Sequence, residues 1–363
     1  MRAEAVAAML PFLTGQFANP SGSHRAARAA RRALDDARDE LGRALGCSGD
    51  EVVWTSGGTE ADNLAIAGVA ARRSGAVLVS AVEHRAVLAP AARAGATRVP
   101  VDARGVVDLE ALGGMLREDV ALVSVMAVNN ELGVLEPLPE ILGLARELAP
   151  GALLHTDAVQ ALSWCDLAGQ CAGYDLVSVS AHKFGGPKGI GALVVRAGAR
   201  GALEPLLRGG GQERELRAGT PNVAGAVAMA AAARATVEGR ARSLERVGAL
   251  RDALEDRLCA AVDGLRPTVP RAARVAGACP VLIEAVSSEE LLVLLDDARV
   301  CASAGSSCAS GAHEPSHVLA AIGLRAQEAA GALRLSLGET TTAAEVDWAV
   351  EALAGAVARL RAR

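Results

Sequence analysis

Short apolar stretches and longer amphipathic stretches alternate along the first 200 residues of the chain. A continuous apolar run predicts a buried strand, whereas apolar residues spaced three or four positions apart among charged ones predict a helix. We therefore predict helices over 23–45, 61–72 and 138–148, and strands over 51–54, 77–79, 120–128, 153–155, 174–180 and 191–196. Repeated strand–helix units with buried strands predict an α/β fold with a mainly parallel central sheet covered by helices.

The pattern changes after about residue 220. An Ala-rich helix is predicted over 223–237 and continues as a charged helix to about 262, and short elements follow: strands over 281–283 and 333–335 and a helix over 288–298. These elements predict a smaller α+β domain. A boundary near 240 divides the 363 residues into a large domain, 1–240, and a small C-terminal domain, 241–363.

Composition and charge narrow the classes of function. The net charge is −5 and 2% of the residues are aromatic, so neither electrostatics nor base stacking favours nucleic-acid binding. Residues 1–13 predict a surface helix rather than an export signal, and no apolar run approaches the roughly 20 residues that span a bilayer. The seven cysteines include no Cys-x-x-Cys pair, so we expect reduced thiols, a cytoplasmic protein and no resident metal.

A glycine-rich turn, Thr55-Ser56-Gly57-Gly58-Thr59-Glu60, joins a predicted strand to a predicted helix. Backbone N–H groups at a helix start, together with the helix dipole, favour an anion. The turn lacks the Walker lysine and the Gly-x-Gly-x-x-Gly fingerprint, so it favours neither a nucleoside triphosphate nor a dinucleotide. A plain helix cap is the alternative interpretation.

Lysine is almost absent from the chain. Of the 37 basic residues only Lys183 and Lys188 are lysines, and both lie in Ser180-Ala181-His182-Lys183-Phe184-Gly185-Gly186-Pro187-Lys188-Gly189. Arg stays protonated in proteins, whereas a desolvated lysine amine can lose its proton and attack a carbonyl. The stretch therefore indicates a Schiff-base lysine of the kind that anchors pyridoxal phosphate (PLP), with a solvated lysine in a glycine turn as the alternative.

Polar residues at the predicted strand ends match what PLP requires. In a parallel sheet, ligands bind beyond the carboxyl ends of the strands. Asp157 can keep the pyridine nitrogen protonated, and His84 can stack on the ring. The remaining candidates are Gly58, Thr59, Ser180 and Thr220 for the phosphate, and Asn130 and Gln160 for the phenolic oxygen. Singly, Asp157 reads as a helix cap and His84 as a structural histidine, but together and in this order they indicate a cofactor site.

The small domain adds two chemical groups. Cys308 lies in the Ser-, Gly- and Ala-rich stretch 301–311, whose composition is typical of a mobile loop and indicates a reactive thiol. Cys301 follows an apolar helix, which predicts a buried position. Arg334 stands between apolar strand positions and needs a partner, for which a substrate carboxylate fits a guanidinium fork. An internal salt bridge is the alternative for Arg334.

The chain closely resembles the cysteine desulfurases, PLP enzymes of fold type I related to the class V aminotransferases. The matching segments are TSGGTEADNLAI, VEHRAVL, VNNELG, HTDAVQA, SVSAHKFGGPKGIG, GGGQERELRAGT, SSCASGAHEPSHVL and LRLSLG, in family order from about Phe17 to the C-terminus. The stretch 307–319 is similar to the longer catalytic loop of the subgroup that serves iron–sulfur assembly.

The resemblance implies a role for each matched residue. Lys183 would carry PLP as a Schiff base, and His84 would stack on the ring and transfer protons. Asp157, Gln160 and Asn130 would bind the ring nitrogen and phenolic oxygen. Arg334, assisted by Asn130, would bind the cysteine carboxylate. The phosphate would be held by Gly58, Thr59, Ser180 and His182, with Thr220 reaching it from the partner subunit of a homodimer.

The implied reaction converts L-cysteine to L-alanine. Lys183 would act as base at Cα, and the Cys308 thiolate would attack the substrate sulfur and become a persulfide. The loop would then deliver sulfur to an acceptor protein, an iron–sulfur scaffold or a tRNA-thiolating enzyme. The resemblance leaves room for a transient iron–sulfur contact through Cys308.

Two alternatives stay open. A selenocysteine lyase or another class V transferase would use PLP without Cys308, and a PLP-binding scaffold would have weakened catalysis. The scaffold alternative arises because the family usually begins with a strand and an Ala-Thr-Thr turn, some 15 residues ahead of Met1. Since every later motif is intact, we expect a start placed too late rather than a true truncation.

Overall fold

The computed structural model describes residues 1–305 and 316–362. The helices are α1 (Ala3–Leu13), α2 (Arg25–Leu45), α3 (Gly58–Arg72), α4 (Arg85–Arg93), α5 (Leu109–Met115), α6 (Leu138–Leu148), α7 (Leu167–Gln170), α8 (Val223–Ala261), α9 (Ser288–Asp297), α10 (His317–Ala321), α11 (Ala326–Ala329) and α12 (Ala343–Arg361). The strands are β1 (Val52–Thr55), β2 (Ala76–Ser80), β3 (Thr97–Val99), β4 (Val120–Ser124), β5 (Leu153–Asp157), β6 (Leu176–Ser180), β7 (Gly191–Val195), β8 (Leu265–Pro267), β9 (Ala278–Ile283) and β10 (Ala332–Ser336).

The described chain forms two compact units. Unit 1 comprises Met1–Val99, Leu109–Ala127 and Pro137–Arg240, and unit 2 comprises Pro100–Asp108, Val128–Glu136 and the described residues from Ala241 onward. The two short segments of unit 2 precede residue 240, where the sequence division assigns them to the large domain. They join unit 2 through backbone pairing: the Val275 N–H donates to the Gly133 carbonyl at 2.9 Å, and the Leu135 N–H to the Ala273 carbonyl at 3.1 Å.

The sheet of unit 1 confirms the predicted α/β fold. In the part of the chain that the structure describes, it has seven strands in the order β1-β7-β6-β5-β4-β2-β3. The pairs from β6 to β3 are parallel, and β7 is antiparallel to both of its neighbours. The carboxyl ends of β1, β2, β4, β5 and β6 therefore meet at one edge. Strand β3 escaped prediction because it is three residues long and two of them are exposed.

Alternation along β5 sends its side chains to opposite faces of the sheet. Leu153, His155 and Asp157 share one face, and Leu153 packs there with Leu64, Ala65 and other apolar residues of α3. Helix α3 therefore covers the face on which Asp157 lies. The apolar contacts of α3 place the two polar residues of β5 under a dry lid.

Unit 2 contains, among its described residues, an antiparallel sheet in the order β10-β9-β8. Helices α9 and α12 pack against each other, and the Trp348 indole N–H donates to the Ala298 carbonyl at 2.9 Å. The helix predicted in two parts over 223–262 is the continuous helix α8. No helix in the described ranges combines the length and the apolar composition needed to cross a membrane.

A strained turn in unit 1 is held by a buried ion pair. Glu213, Arg214 and Glu215 all have positive φ, at 46°, 57° and 67°, a conformation costly for residues with a Cβ. The Glu213 carboxylate accepts both arms of the Arg38 guanidinium at 2.8 Å and the Trp54 N–H at 2.8 Å. Arg38 in turn lies 5.6 Å from the centre of the Trp54 ring. These bonds fix the turn to β1.

We expect Glu213→Gln to destabilise the protein strongly. The substitution leaves the Arg38 charge buried without its carboxylate, which costs about 3–5 kcal/mol. Urea denaturation followed by circular dichroism measures the loss. Glu328→Gln is the matched control, because its ion pair with Arg325 is exposed, and we expect no measurable change there. Equal effects of the two substitutions would contradict the role given to the buried pair.

Candidate active site

The glycine-rich turn after β1 forms the start of α3. Gly58 is the first residue of the helix, where backbone N–H groups have no intrahelical partner. The Glu60 carboxylate accepts the Ser56 N–H at 2.8 Å and fixes the turn. A Cβ on Gly58 would lie 2.6 Å from Cγ2 of Val159, so only glycine fits there. Gly58 and Thr59 thus stand where the sequence predicts an anion cradle.

The lysine turn follows β6 and lies beside the glycine turn. Gly191 of β7 lies opposite both Thr55 and Ser180, and a Cβ on it would lie 2.7 Å from the Cα of Gly57. Lys183 ends a single 3₁₀ turn, Ala181–Lys183, directly after the strand. The missing side chain at Gly191 therefore lets the anion cradle and Lys183 leave the sheet side by side.

His182 is held in a defined orientation within this turn. Its Nδ1 lies 2.9 Å from the Ser180 hydroxyl. Loss of hydration lowers the pKa of His182, and the charges of Lys183 and Lys188 lower it further. His182 is therefore neutral at neutral pH, and its remaining ring nitrogen can take part in a hydrogen bond with an anion.

Asp157 is the last residue of β5 and is buried. Its carboxylate accepts the Val159 N–H at 2.9 Å. Burial raises the pKa of Asp157 to about 6, against the lowering effect of the Val159 hydrogen bond and the Lys183 charge. A carboxyl in this condition favours a cationic ligand group. Gln160 follows three residues later and is half-buried.

His84 is the N-cap of α4, and its Nδ1 accepts the Ala86 N–H at 3.1 Å. In the neutral ring the proton therefore lies on Nε2. The neighbouring Glu83 is fully buried and accepts the Met126 N–H at 2.6 Å, just beyond β4. That contact ties the His84 segment to the edge of the sheet.

The loop that carries Thr220 is tied to the glycine turn. The Arg217 guanidinium donates to the Glu60 carboxylate at 2.9 Å, and the same carboxylate holds Ser56. The Arg217 hydrogen bonds lower the pKa of Glu60 although burial opposes them. Thr220 itself is exposed.

Asn130 and Arg334 lie together in unit 2. The Arg334 guanidinium donates to the Asn130 carbonyl at 2.8 Å, and the backbone of Arg334 pairs with Ser303 in both directions. The side-chain oxygen of Asn130 is buried and has no hydrogen-bond partner among the described residues, so it can accept a bond from a ligand. Cys308 lies outside the described residues. Cys301 carries an exposed free thiol, so its predicted burial was wrong.

Unit 1 thus collects most of the predicted cofactor residues at one edge of its sheet: Gly58, Thr59, His84, Asp157, Gln160, Ser180, His182 and Lys183. Sequence reasoning missed the residues that support them: Glu60, Asp62, Glu83, Ser124, His155, Ser178 and Arg217. His155 offered a signal, because it lies two positions before Asp157 and so shares its strand face. The long-range pairs, such as Arg217 with Glu60, left no local signal.

The site residues fit pyridoxal phosphate. A helix start that tolerates no Cβ can take a phosphate, and a buried carboxyl in the field of a lysine can take a pyridinium nitrogen. Lysine is the residue type that forms an imine with an aldehyde. The described part of the chain holds no group of three or more His, Cys, Asp or Glu side chains arranged to bind a metal ion.

Comparisons with known proteins agree with this geometry. The profile of the family "Aminotransferase class-V" matches residues 1–348. Cysteine desulfurase IscS of Dictyoglomus turgidum is 38% identical over 369 residues, covering 99% of this chain and 93% of the relative. A solved NifS-like protein superposes with a TM-score of 0.92 at 31% identity, covering 99% of this chain and 96% of that one. SspA, solved in complex with cysteine, superposes with a TM-score of 0.82 at 30% identity, covering 94% and 97%.

The similarity extends over nearly the whole chain and both kinds of comparison name the same enzymes, whose family depends on pyridoxal phosphate. The chain therefore belongs to the class V aminotransferase family and, within it, to the cysteine desulfurases.

Proposed function

We propose that this protein is a PLP-dependent cysteine desulfurase, which converts L-cysteine to L-alanine and takes the sulfur onto Cys308. The observation that supports this best is the buried Asp157 carboxyl in the field of Lys183, beside a helix start that only glycine fits. Family membership and the cysteine complex of SspA support the substrate.

PLP, when bound, supplies an electron sink that makes the Cα proton of an amino acid acidic and lets the bond to sulfur break. We assign its anchoring to Lys183 and its phosphate to Gly58, Thr59, Ser180 and His182, with Thr220 contributed by the partner in a homodimer. Gln160 and Asn130 are assigned to its phenolic oxygen. The neutral His182 suits this role, because it can donate to a phosphate without adding a charge that Lys183 would repel.

Asp157 and Lys183 divide the acid–base work. Asp157 holds the proton of the ring nitrogen in place by staying negative. Lys183 takes the proton from Cα of cysteine once its amine is free, because an amine near positive charge and away from water loses its proton more readily. His84, with Nδ1 fixed by the Ala86 N–H, presents Nε2 for stacking and proton transfer.

Arg334 is assigned to the carboxylate of cysteine, with Asn130 beside it. The Asn130 carbonyl already orients one arm of the guanidinium at 2.8 Å, which leaves the planar fork able to bind a carboxylate. The unpartnered side-chain oxygen of Asn130 is available for the substrate amine.

The Cys308 thiolate completes the reaction. It attacks the sulfur of cysteine, the carbon–sulfur bond breaks, and its electron pair returns to the carbon skeleton, which takes up a proton and leaves as alanine. Cys308 is left as a persulfide for an acceptor protein, an iron–sulfur scaffold or a tRNA-thiolating enzyme. We place this work in the cytoplasm, where thiols stay reduced.

Lys183 is the first point at which the proposal can fail. We expect borohydride reduction of the PLP-loaded protein to fix a pyridoxyl group on the peptide that contains Lys183, as read by mass spectrometry. Lys183→Arg should abolish the label, since arginine forms no imine. Lys188→Arg is the matched control and should keep it. A label that survives in Lys183→Arg would refute the assignment.

Cys308 separates the proposed function from its alternatives. With L-cysteine and a reductant, we expect Cys308→Ser to lose alanine and sulfide production by about a hundredfold or more while the cofactor absorbance persists. Cys301→Ser is the control and should turn over normally. Undiminished alanine release in Cys308→Ser would instead indicate a lyase. A wild type that binds PLP without turnover would indicate a scaffold.

Asp157 predicts a pH-dependent stability of the cofactor-free protein. Because its folded-state pKa is raised from 3.8 to about 6, its ionisation opposes folding above that range and has no effect below about pH 4. Asp157→Asn should therefore be more stable than wild type at pH 8 by about 2–3 kcal/mol and equal at pH 4, as measured by urea denaturation.

The same variant should lose activity by about ten- to a hundredfold, the equivalent of a charge-assisted hydrogen bond of about 1.5–3 kcal/mol. The exposed Asp119→Asn controls for the loss of a carboxylate and should show neither effect. An Asp157→Asn protein no more stable than wild type at pH 8 would contradict the buried anion.

A further inference from the structure

Four buried polar side chains beside Asp157 take no part in the proposed reaction. His155 lies two positions before Asp157 on β5, and the register places Ser124 opposite His155 and Ser178 opposite Asp157 on the neighbouring strands. Asp62 of α3 lies over the same face. Asp62, Ser124, His155 and Ser178 are each at most 1% exposed.

Hydrogen bonds join these four side chains in a row. The Ser124 hydroxyl lies 2.8 Å from Nδ1 of His155, and the Ser178 hydroxyl lies 3.0 Å from Nε2. Ser178 also hydrogen-bonds the Asp62 carboxyl. The second carboxyl oxygen of Asp62, Oδ1, has no hydrogen-bond partner in the described ranges and lies 3.7 Å from Nε2 of His155.

Two carboxyl groups therefore share a dry pocket in unit 1. Lys183 favours the charge of Asp157, which also accepts the Val159 N–H. Asp62 has no such help: burial raises its pKa well above the usual range, and the charge of Asp157 raises it further. Burial also lowers the pKa of His155 to about 3, which disfavours an imidazolium. One proton has to remain in the pocket at neutral pH.

We propose that Asp62 keeps this proton and donates it to Ser178, so that a one-way chain of hydrogen bonds runs from Asp62 through Ser178 and His155 to Ser124. The negative charge of the pocket then stays on Asp157, where the proposed function needs it. Asp62 and His155 are positioning residues in this arrangement, since they act through Asp157. The proposal rests on the proposed function for its purpose, whereas the chain exists in the protein without cofactor.

The direction of the chain follows from the chemistry of each group. A serine hydroxyl has one proton, so a Ser178 that accepts from Asp62 must donate to Nε2 of His155. Nδ1 then carries the ring proton and donates to Ser124. If Asp62 were ionised it would accept from Ser178, and the ring proton would lie on Nε2. An Asp62–His155 ion pair would protonate both nitrogens. The tautomer of His155 thus reports the state of Asp62.

Infrared spectroscopy of the cofactor-free protein at pH 7 tests the proton on Asp62. A protonated carboxylic acid gives a carbonyl band apart from that of a carboxylate. We expect Asp62→Asn to remove such a band, Asp157→Asn to retain it and the exposed Asp119→Asn to leave it unchanged. Glu136→Gln is the positive control, because burial raises the pKa of Glu136 to about 8 and this carboxyl is also protonated. A spectrum from which Asp62→Asn removes nothing would overturn the proposal.

Nitrogen-15 NMR of the wild type gives a second readout that does not depend on a variant folding. The ring signals of His155, assigned by their loss in His155→Gln, should show the neutral tautomer with the proton on Nδ1 from pH 5 to pH 8. A proton on Nε2, or on both nitrogens, would overturn the proposal. In Asp62→Asn the amide can replace the donor, so the same tautomer should persist. These experiments use no cofactor, so a failure of the Lys183 labelling is recognised separately.

Discussion

The close approach of three backbone segments determines the site of unit 1. Gly191 begins β7 between Thr55 and Ser180, and no side chain fits at that position, because a Cβ would lie 2.7 Å from Gly57. The anion cradle and the lysine turn can leave the sheet side by side only under this condition. Asp157 stands one strand further along the same edge, next to β6. A larger residue at Gly191 would separate groups that the chemistry needs together.

The charges of unit 1 are treated in two different ways. Structural charges are paired: Arg38 with Glu213 and Arg217 with Glu60 each satisfy one another at short range. Asp157, in contrast, is buried with partial compensation, which raises its pKa and destabilises the folded protein at neutral pH. A ligand with a cationic nitrogen supplies the missing partner. This is the balance expected of a residue retained for binding rather than for stability.

The sequence predicted those parts of the fold whose signal is local. Continuous apolar runs located β4 and β6, and helical spacing located α2 and α6, because burial imposes its period on neighbouring residues. Strand β3 failed since its exposed residues carry no such period. The hairpin 128–136 joined unit 2 through Gly133 and Val275, a contact between distant residues. The lysine and the strand-end residues were predictable from residue type, whereas Asp62 and Ser178 needed the register.

The scarcity of lysine has a physical explanation in these contacts. Arginine remains charged under all conditions and offers a planar fork, so it serves the ion pairs of Arg38 and Arg217 better than lysine. The anchoring role assigned to Lys183 requires a group that loses its proton, which excludes arginine. Lys188 adds charge near His182 and helps to keep that imidazole neutral. Replacement of lysine by arginine can therefore proceed through the rest of the chain and must stop at Lys183.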